Sequence, residues 1–382
     1  MFLYLSTSTS YSIYNDLFKR DMVAGGHQSQ RFNYNIISGL SKFTNIAAVT
    51  AFPYKNINAP KIEKDEGSVK YICIKNIKGL FHKFHNTKKL IVEGKNIIKN
   101  NNVNYIICDS FSLSPAIAAK YLSKKFNIPA VAIVTDIHEA YCEGKMSFLQ
   151  RIHSCLMKKF DLYVLLTEQM KELINPRKKP FVVMEGSSDS DYVNIVSNKS
   201  ETDKRICIYS GVLWKEKAGL EYLIDGFLKA NIPNTELHFY GSGELKKYII
   251  ETSILHPQIK YMGYITNHEL VIKQQEASLL INPRPSSYNF CKYSFPSKTF
   301  EYMVSGTPVL MTKLPGISKE YFKYVYTIDK ENADGISEKL IEIFSFSELE
   351  RKNKANAARK FISTQKNNIV QSKKIYDFLM SQ

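Results

Sequence analysis

Short apolar runs alternate with longer amphipathic segments along almost the whole chain. This alternation constrains the fold more than any other feature, because strands that are apolar on both faces and separated by helices form parallel sheets covered on both sides. In the N-terminal half, the runs predict strands over residues 2–6, 44–50, 69–74, 103–108, 129–135, 161–166 and 180–184. In the C-terminal half, they predict strands over residues 205–210, 235–240, 258–262, 278–282, 307–311 and 324–328.

The segments between these runs predict helices, most clearly over residues 113–126, 146–158, 217–230, 244–252, 296–304 and 331–344. We therefore predict an α/β protein with two doubly wound, Rossmann-like domains that face a central cleft. The expected domains are residues 1–190 and 205–360, joined by a polar linker over 191–204. A basic C-terminal helix, within residues 361–382, is expected to cross back to the first domain.

Composition excludes several classes of protein. The 382 residues are 44% hydrophobic and 23% charged, which is ordinary for a globular protein. No run of about 18 apolar residues predicts a membrane span. Six cysteines are scattered without a C-x-x-C pair, which is typical of a reducing cytosol and predicts no zinc site. The N-terminus predicts a buried strand rather than a signal peptide, so we expect a cytoplasmic protein.

The chain is also strongly basic. Lys and Arg number 52 against 36 Asp and Glu, which gives a net charge of +16. Such a charge indicates an anionic partner, which would be nucleic acid, an acidic membrane surface or a phosphate-bearing substrate. The alternative is a Lys- and Asn-rich bias that serves solubility alone.

Three predicted strands of the C-terminal half are followed by glycine. These glycines are Gly211, the pair Gly241 and Gly243, and Gly263. Ligands of doubly wound sheets bind beyond the carboxyl ends of the strands, and glycine lets a ligand approach the backbone closely. The three loops therefore predict a shared binding site, although glycine after a strand is also common in plain turns.

The segment 293–310, YSFPSKTFEYMVSGTPVL, is the most informative part of the chain. Pro296 suits the start of a helix, and the free N–H groups of a helix start bind phosphate. Ser297 and Lys298 add a hydroxyl and a cation there. Glu301 lies about one turn further along the helix. Its carboxylate there is suited to accept hydrogen bonds from ribose hydroxyls. The alternative is an ordinary surface glutamate favoured by the helix dipole.

This pattern resembles the nucleotide-sugar site of family 4 glycosyltransferases, which have the GT-B fold. SGVLWKEKAGLEYLIDGF (210–227), HFYGSGEL (238–245) and MGYITNHEL (262–270) are similar to successive strand-loop units of that site. CDSFSLSPAIAAKYL, VAIVTDIHEAY and DLYVLLTEQM resemble the acceptor-side domain of members that assemble bacterial exopolysaccharide and lipopolysaccharide. The resemblance covers nearly the whole chain.

The resemblance implies roles for individual residues. His138, Lys217 and Glu301 are expected to be catalytic, with Lys217 on the donor diphosphate and His138 on the donor sugar. The residues expected to bind the donor are Gly25, Gly26, Gly211, Gly241, Gly243, Tyr264, Arg284, Ser297 and Lys298. No cofactor is implied, because the nucleotide diphosphate sugar is a substrate. A structural histidine at His138, and a plain turn at Gly25 and Gly26, are the alternatives.

Two positions depart from the family pattern. Tyr293 stands where the family often has the first of two glutamates, which contacts the transferred sugar. Val212 stands where the family often has an arginine. Arg284 or Lys298 is expected to supply the missing cation.

The implied function is a retaining, metal-independent glycosyltransferase. Its substrates would be a nucleotide diphosphate sugar and a hydroxyl of a saccharide or lipid-linked saccharide, in bacterial surface polysaccharide synthesis. Two other classes stay open, namely a nucleotide-sugar epimerase or hydrolase on the same fold, and a non-enzymatic basic protein that binds anions or nucleic acid. Nucleic acid is not an expected partner, because the chain shows neither a recognised binding module nor a stacking patch.

Two basic segments carry apolar residues between their cations. Residues 75–99 hold seven Lys and one Glu, and residues 145–160 place Phe148, Ile152, Leu156 and Phe160 four residues apart with no acidic residue. Such segments suit an anionic membrane, so we expect peripheral contact with the inner face of the plasma membrane. The alternative is a solvated helix that packs its apolar stripe on the sheet.

One carboxylate pair is a candidate metal site. Asp189-Ser190-Asp191 forms a D-x-D motif, and hard divalent cations prefer such oxygen ligands. The motif lies in a polar stretch away from any strand end, so we expect no metal there.

Overall fold

The structure of the protein is a computed structural model that describes residues 1–23, 28–55, 57–79, 81–142, 145–188 and 204–382. The chain divides into two compact units. Unit 1 consists of Met1–Ser187 and Asn368–Gln382, and unit 2 of Ser188–Asn367. Most of the expected linker, residues 191–203, lies outside the described residues.

Unit 1 is built on one twisted sheet with helices on both faces. The strands are β1 (Phe2–Ser6), β2 (Ile46–Thr50), β3 (Ile62–Glu66), β4 (Val69–Cys73), β5 (Tyr105–Asp109), β6 (Ala130–Val134), β7 (Leu162–Leu165) and β8 (Phe181–Val183). The helices are α1 (Tyr11–Lys19), α2 (Gln28–Leu40), α3 (His82–Asn100), α4 (Leu113–Phe126), α5 (His138–Tyr141), α6 (Phe148–Met157) and α7 (Met170–Ile174). The strand order is β3-β4-β2-β1-β5-β6-β7-β8, so the winding of the chain reverses between β1 and β5.

The hairpin of β3 and β4 is an element that the sequence pattern did not predict. β3 pairs antiparallel with β4 at the edge of the sheet, whereas the other strand pairs of unit 1 are parallel. The sequence of β3, IEKDE, lacks an apolar run because three of its residues are exposed. Charged residues on an edge strand prevent pairing with another chain. Gly67 makes the turn possible, with a φ of +59°.

Unit 2 contains a six-stranded sheet in which all neighbouring pairs are parallel. The strands are β9 (Arg205–Ser210), β10 (Thr235–Tyr240), β11 (Ile259–Gly263), β12 (Leu279–Asn282), β13 (Val309–Thr312) and β14 (Tyr326–Ile328). The helices are α8 (Leu220–Ala230), α9 (Lys246–Leu255), α10 (Asn267–Glu276), α11 (Ser297–Ser305), α12 (Ala333–Ser345) and α13 (Glu348–Gln365). The order is β11-β10-β9-β12-β13-β14, so the winding reverses between β9 and β12.

Helix α8 begins later than the sequence pattern predicted. The pattern placed its start at Lys217, but the helix begins at Leu220. Gly219 has a left-handed backbone with a φ of +69°, which the first turn of a helix cannot contain. A Cβ at Gly219 would also collide with the Pro283 carbonyl of the neighbouring loop. Lys217 therefore lies in a loop before the helix, and the expectation of a helix start there was wrong.

The last helix, α14 (Asn368–Met380), packs within unit 1. It lies against α2, where a Cβ at Gly39 would be 2.7 Å from the Ser372 Cβ. The Tyr105 hydroxyl of β5 donates to the Leu379 carbonyl at 2.5 Å. Residue 360, the expected end of the second domain, lies inside α13, which continues to Gln365.

Candidate functional site

In unit 2, the loops that follow β9 and β12 start side by side, at the point where the winding of the sheet reverses. Doubly wound sheets bind their ligands at such a point, because the two loops separate and leave a crevice. The loop after β9 runs from Gly211 through Lys217, and the loop after β12 carries Arg284 and Phe290. These two loops and the start of α11 form the candidate site of unit 2.

Three glycines let the loops after β9 and β10 approach each other closely. Gly211, Gly241 and Gly243 have φ values of +137°, +127° and +154°. A Cβ at Gly241 would collide with the Gly211 carbonyl, and a Cβ at Gly243 would lie 2.7 Å from the Leu213 nitrogen. The Leu213 N–H also donates to the Ser242 carbonyl at 2.9 Å. The two loops are therefore so close together that only glycine fits at 241 and 243.

Two cations lie close to the ring of the buried Phe290. The Lys217 Nζ lies 5.9 Å from the centroid of the Phe290 ring, and the Arg284 Cζ lies 5.6 Å from the same centroid. The Tyr288 hydroxyl donates to the Glu216 carbonyl at 2.9 Å and so joins the two loops. Two residues expected at the donor diphosphate therefore lie around the same ring.

Lys298, the second residue of α11, adds a third cation. Its Nζ donates to the Tyr209 hydroxyl at 2.8 Å and lies 4.0 Å from the centroid of that ring. A Cβ at Gly211 would lie 2.5 Å from this Nζ, so glycine makes room for the lysine. Burial and the Arg284 guanidinium lower the pKa of Lys298 to about 7, although the Glu301 carboxylate opposes the shift. An anion bound beside these cations would favour the charged lysine.

Hydrogen bonds hold α11 and the preceding helix α10 against the end of β9. The Ser210 N–H donates to the Tyr302 hydroxyl at 2.9 Å, and the Gln274 Nε2 donates to the Ser210 hydroxyl at 3.2 Å. Burial raises the pKa of Tyr302 to about 12, so its hydroxyl keeps its proton. Lys298 and the half-buried Glu301 are on this anchored helix, and the anchor fixes their backbone positions.

The start of α11 presents polar groups without a side-chain cap. Pro296 precedes the helix with an extended backbone, and Ser297 is exposed. The Ser294 hydroxyl is buried and finds no hydrogen-bond partner within the part of the chain that the structure describes.

Tyr293 is buried, whereas Tyr264, on the loop after β11, is 71% exposed.

In unit 1, the winding reverses between β1 and β5, and a buried carboxyl lies at that point. The Thr7 hydroxyl, just after β1, donates to Asp109 Oδ2 at 3.1 Å. Asn33 Nδ2 donates to the same oxygen at 3.3 Å, and the Phe111 N–H donates to Oδ1 at 3.3 Å. Burial raises the pKa of Asp109 to about 6 although these hydrogen bonds oppose the shift.

Asp109 was not among the functional residues predicted from the sequence. The signal that would have found it is its position directly after the predicted strand 103–108, where doubly wound sheets place functional side chains.

His138 is the first residue of the short helix α5, close to Asp109 along the same sheet edge. Its ring centroid lies 5.7 Å from that of Phe111 and 5.1 Å from that of His153. The His153 Nε2 lies 2.6 Å from the Ser110 carbonyl, and burial lowers the pKa of His153. His138 is half-exposed, so its ring contacts these two aromatic side chains and is also accessible to solvent.

Some predicted positions lie outside the described residues. These are Gly25, Gly26 and the D-x-D motif Asp189-Ser190-Asp191. Across the described ranges, no group of three or more His, Cys, Asp or Glu side chains is arranged to hold a metal ion.

The comparisons with known proteins agree with this architecture. Residues 193–360 match the family described as glycosyl transferases group 1. The chain is similar to the sucrose-phosphate synthase of Thermosynechococcus elongatus, with 12% identity, full coverage of both chains and a TM-score of 0.70. It is similar to HepE of Anabaena in complex with UDP and glucose, with 12% identity, full coverage of both chains and a TM-score of 0.65. No curated protein matches the chain.

A third similar structure is the lipopolysaccharide outer core galactosyltransferase WaaB, with 15% identity and a TM-score of 0.65 over 100% of this chain and 99% of that chain. These solved structures are GT-B glycosyltransferases. The predicted α/β fold of two doubly wound domains is confirmed, and so is the resemblance to this class of enzyme. The chain has the GT-B fold, and its residues 193–360 match the group 1 glycosyl transferase family.

Proposed function

We propose that the protein transfers a sugar from a nucleotide diphosphate sugar to an acceptor hydroxyl. The observation that carries this proposal is the cluster of Lys217, Arg284 and Lys298 at the point where the winding of unit 2 reverses. The diphosphate of a nucleotide sugar carries two negative charges and gains a third as it leaves. Bound beside these cations, it would offset the burial and the repulsion from Arg284 that lower the pKa of Lys298. The similar HepE structures contain UDP, and UDP with glucose, which supports this class of ligand.

The three cations would act mainly on the leaving group. As the bond between sugar and diphosphate breaks, negative charge grows on the diphosphate oxygens. Cations fixed beside these oxygens stabilise the transition state more than the ground state, and so raise kcat. Glu301 would accept hydrogen bonds from the ribose hydroxyls and hold the nucleotide in register with the cations.

The proposed transfer retains the configuration of the sugar and uses no divalent metal. Protein cations would supply the charge stabilisation that a metal gives a leaving diphosphate in other enzymes. His138 is proposed to contact the transferred sugar. Further donor contacts are proposed at Gly25, Gly26, Gly211, Gly241, Gly243, Tyr264 and Ser297.

The proposed acceptor is a saccharide or lipid-linked saccharide of bacterial surface polysaccharide synthesis. The similar WaaB structure, a lipopolysaccharide galactosyltransferase, supports this setting. We propose that the protein works in the cytoplasm, in peripheral contact with the inner face of the plasma membrane. None of the described helices is long and apolar enough to cross a membrane.

Product analysis tests the reaction. The protein is incubated with a panel of UDP-, GDP- and ADP-sugars, with and without simple saccharide acceptors, in EDTA. We expect nucleoside diphosphate release that depends on the acceptor, and a glycoside with the anomeric configuration of the donor. An isomerised nucleotide sugar would indicate an epimerase, and free sugar alone would indicate a hydrolase. Activity that EDTA abolishes and Mn²⁺ restores would contradict the metal-free mechanism.

Substitution of Glu301 tests the nucleotide site. Loss of a hydrogen bond to a charged group costs about 1.5–3 kcal/mol, so Glu301→Ala is expected to weaken nucleoside diphosphate binding about tenfold to a hundredfold. Glu251→Ala, an exposed glutamate on α9, is the matched control and should bind normally. Equal affinity of Glu301→Ala and the wild type, measured by calorimetry, would show that the ribose lies elsewhere.

A further inference from the structure

Three helices of unit 1 lie side by side on one face of the sheet. α3 packs on α4, and α4 packs on α6. Because each follows a strand of the parallel part of the sheet, their N-terminal ends lie near its carboxyl edge, where Asp109 and His138 also lie. The Ser114 hydroxyl of α4 donates to the Lys83 carbonyl of α3 at 3.1 Å and joins two of these ends directly.

Large apolar side chains at these ends face solvent. Phe81, Phe84 and Phe148 are 78%, 74% and 76% exposed, and Phe111 and Leu149 are 47% and 52% exposed. We call these five residues the aromatic rim. Soluble proteins rarely leave such large apolar groups in water on one surface unless a partner covers them.

The charges on the same helices show what kind of partner fits. Within their bounds, α3, α4 and α6 hold nine basic residues against one acidic residue, Glu93, which pairs with Lys61 at 2.8 Å. The basic residues are Lys83, Lys88, Lys89, Lys95, Lys99, Lys120, Lys124, Lys125 and Arg151. Apolar side chains at one end of a basic surface match the layers of an anionic bilayer, in which charged headgroups cover hydrocarbon.

We propose that the aromatic rim inserts into an anionic phospholipid bilayer while the exposed cations nearest the rim, Lys83, Lys88 and Arg151, contact its headgroups. Burial along α6 supports this orientation. Phe148 is 76% exposed and Ile152 is 41% exposed, whereas Phe160, just beyond the helix, is buried. The apolar stripe predicted over 145–160 is therefore divided between the surface and the core, and only its N-terminal part can reach a membrane.

This orientation turns the carboxyl edge of the unit 1 sheet toward the membrane. It deepens the proposed function and rests on it in one respect, because a lipid-linked acceptor would then present its hydroxyl at the edge that carries Asp109 and His138. The affinity for the bilayer itself depends only on the surface of unit 1.

Vesicle sedimentation tests the proposal. The probes are vesicles of phosphatidylcholine alone and of phosphatidylcholine mixed with phosphatidylglycerol. The triple variant Phe81→Ser, Phe84→Ser, Phe148→Ser should partition onto the mixed vesicles at least about tenfold less than the wild type, because each exposed ring loses its insertion energy. The double variant Ile254→Ser, Leu255→Ser is the control, since these unit 2 residues are 75% and 76% exposed. It should partition like the wild type.

A charge variant separates the two parts of the interaction. Lys83→Gln, Lys88→Gln, Arg151→Gln changes exposed cations in the N-terminal parts of α3 and α6, beside the aromatic rim, and should remove most of the preference for the mixed vesicles. The unit 2 variant Lys352→Gln, Lys360→Gln on α13 should keep that preference. Equal binding by the triple phenylalanine variant and the wild type would overturn the proposal. A second result would also overturn it: the wild type self-associates, the triple phenylalanine variant does not, and neither binds vesicles. The rim would then be a contact between two copies of the chain.

Nucleoside diphosphate binding is measured on the same variants and should be unchanged in all of them. This readout also separates the two hypotheses. A wild type that binds mixed vesicles but no nucleoside diphosphate would refute the proposed function and leave the membrane surface supported. Normal nucleoside diphosphate binding without vesicle binding would refute the membrane surface alone.

Discussion

At Lys298 the fold holds a lysine in surroundings that disfavour its charge. Its pKa of about 7 lies below the value of 10.5 that an unperturbed lysine has. Between these two pH values the unfolded chain holds a proton that the folded protein lacks, so the free energy of unfolding rises with pH in this window. We predict that Lys298→Met flattens this rise in denaturant titrations of the ligand-free protein. A Lys298→Met protein with the pH profile of the wild type would contradict the lowered pKa of Lys298.

Ligand binding should show the opposite dependence on pH. A diphosphate favours the charged form of Lys298, so its binding takes up a proton when the pH is above about 7. We predict that nucleoside diphosphate affinity falls as the pH rises from 6 to 9. In Lys298→Met the affinity should be lower and nearly independent of pH in this range. Calorimetry in buffers of different ionisation enthalpy would detect the proton directly.

Val212 offers a second position for the same charge. It follows Gly211, which lies against the Lys298 ammonium, and its side chain is 42% exposed. An arginine at 212 would have room to reach the same region of the site. We predict that Val212→Arg restores at least part of the nucleoside diphosphate affinity that Lys298→Ala loses. Val212→Leu in the same background is the control, and equal affinities of the two double variants would contradict this arrangement of the cations.

The loop after β10 packs closely against the loop after β9. Gly241 and Gly263 both have positive φ, of +127° and +77°, but only at Gly241 would a Cβ collide with another loop. Alanine at either position costs about 1–2 kcal/mol for the backbone, and the collision at 241 adds about 1–3 kcal/mol. We therefore predict that Gly241→Ala lowers the free energy of unfolding clearly more than Gly263→Ala. Equal losses would show that the loops separate without cost.

The buried carboxyl of Asp109 connects β5 with the loop after β1 and with α2. Its folded pKa of about 6 lies above the unperturbed value of 3.8. The folded protein therefore binds more protons between these values, and the stability that Asp109 contributes is lost as the pH rises through 6. We predict that Asp109→Asn reduces the change in the free energy of unfolding between pH 4 and 7. If Asp109→Asn kept the full pH dependence of the wild type, other titratable groups would be responsible for that dependence.

The elements also show where sequence patterns succeed and where they stop. The strands predicted from apolar runs are present, because a strand buried on both faces must be apolar throughout. β3 was not predicted, because an edge strand needs no apolar run. The start of α8 was misplaced because it depends on the left-handed backbone of Gly219 and the carbonyl of Pro283, which lies far away in the sequence.

At the scale of the whole molecule, sequence motifs predicted which residues belong to the candidate site. They did not predict which other residues these would contact. The sequence indicated Lys217, Arg284 and Lys298 separately. Two of them lie close to the Phe290 ring, and the third donates to the Tyr209 hydroxyl. Only the fold creates these contacts between residues that are not adjacent in the sequence. Asp109 was missed for the same reason, since its importance comes from burial among Thr7, Asn33 and the β5 loop.

The central claim is that the cation cluster of unit 2 holds the diphosphate of a nucleotide. The most direct test compares, by calorimetry, each nucleoside diphosphate with its own nucleoside and nucleoside monophosphate, because only the phosphates change within a series. We predict that for the preferred base the diphosphate binds at least about a hundredfold more tightly than the nucleoside, and that Lys217→Ala with Lys298→Ala removes most of this difference. Equal affinities for diphosphate and nucleoside, or a difference that survives the double substitution, would contradict it.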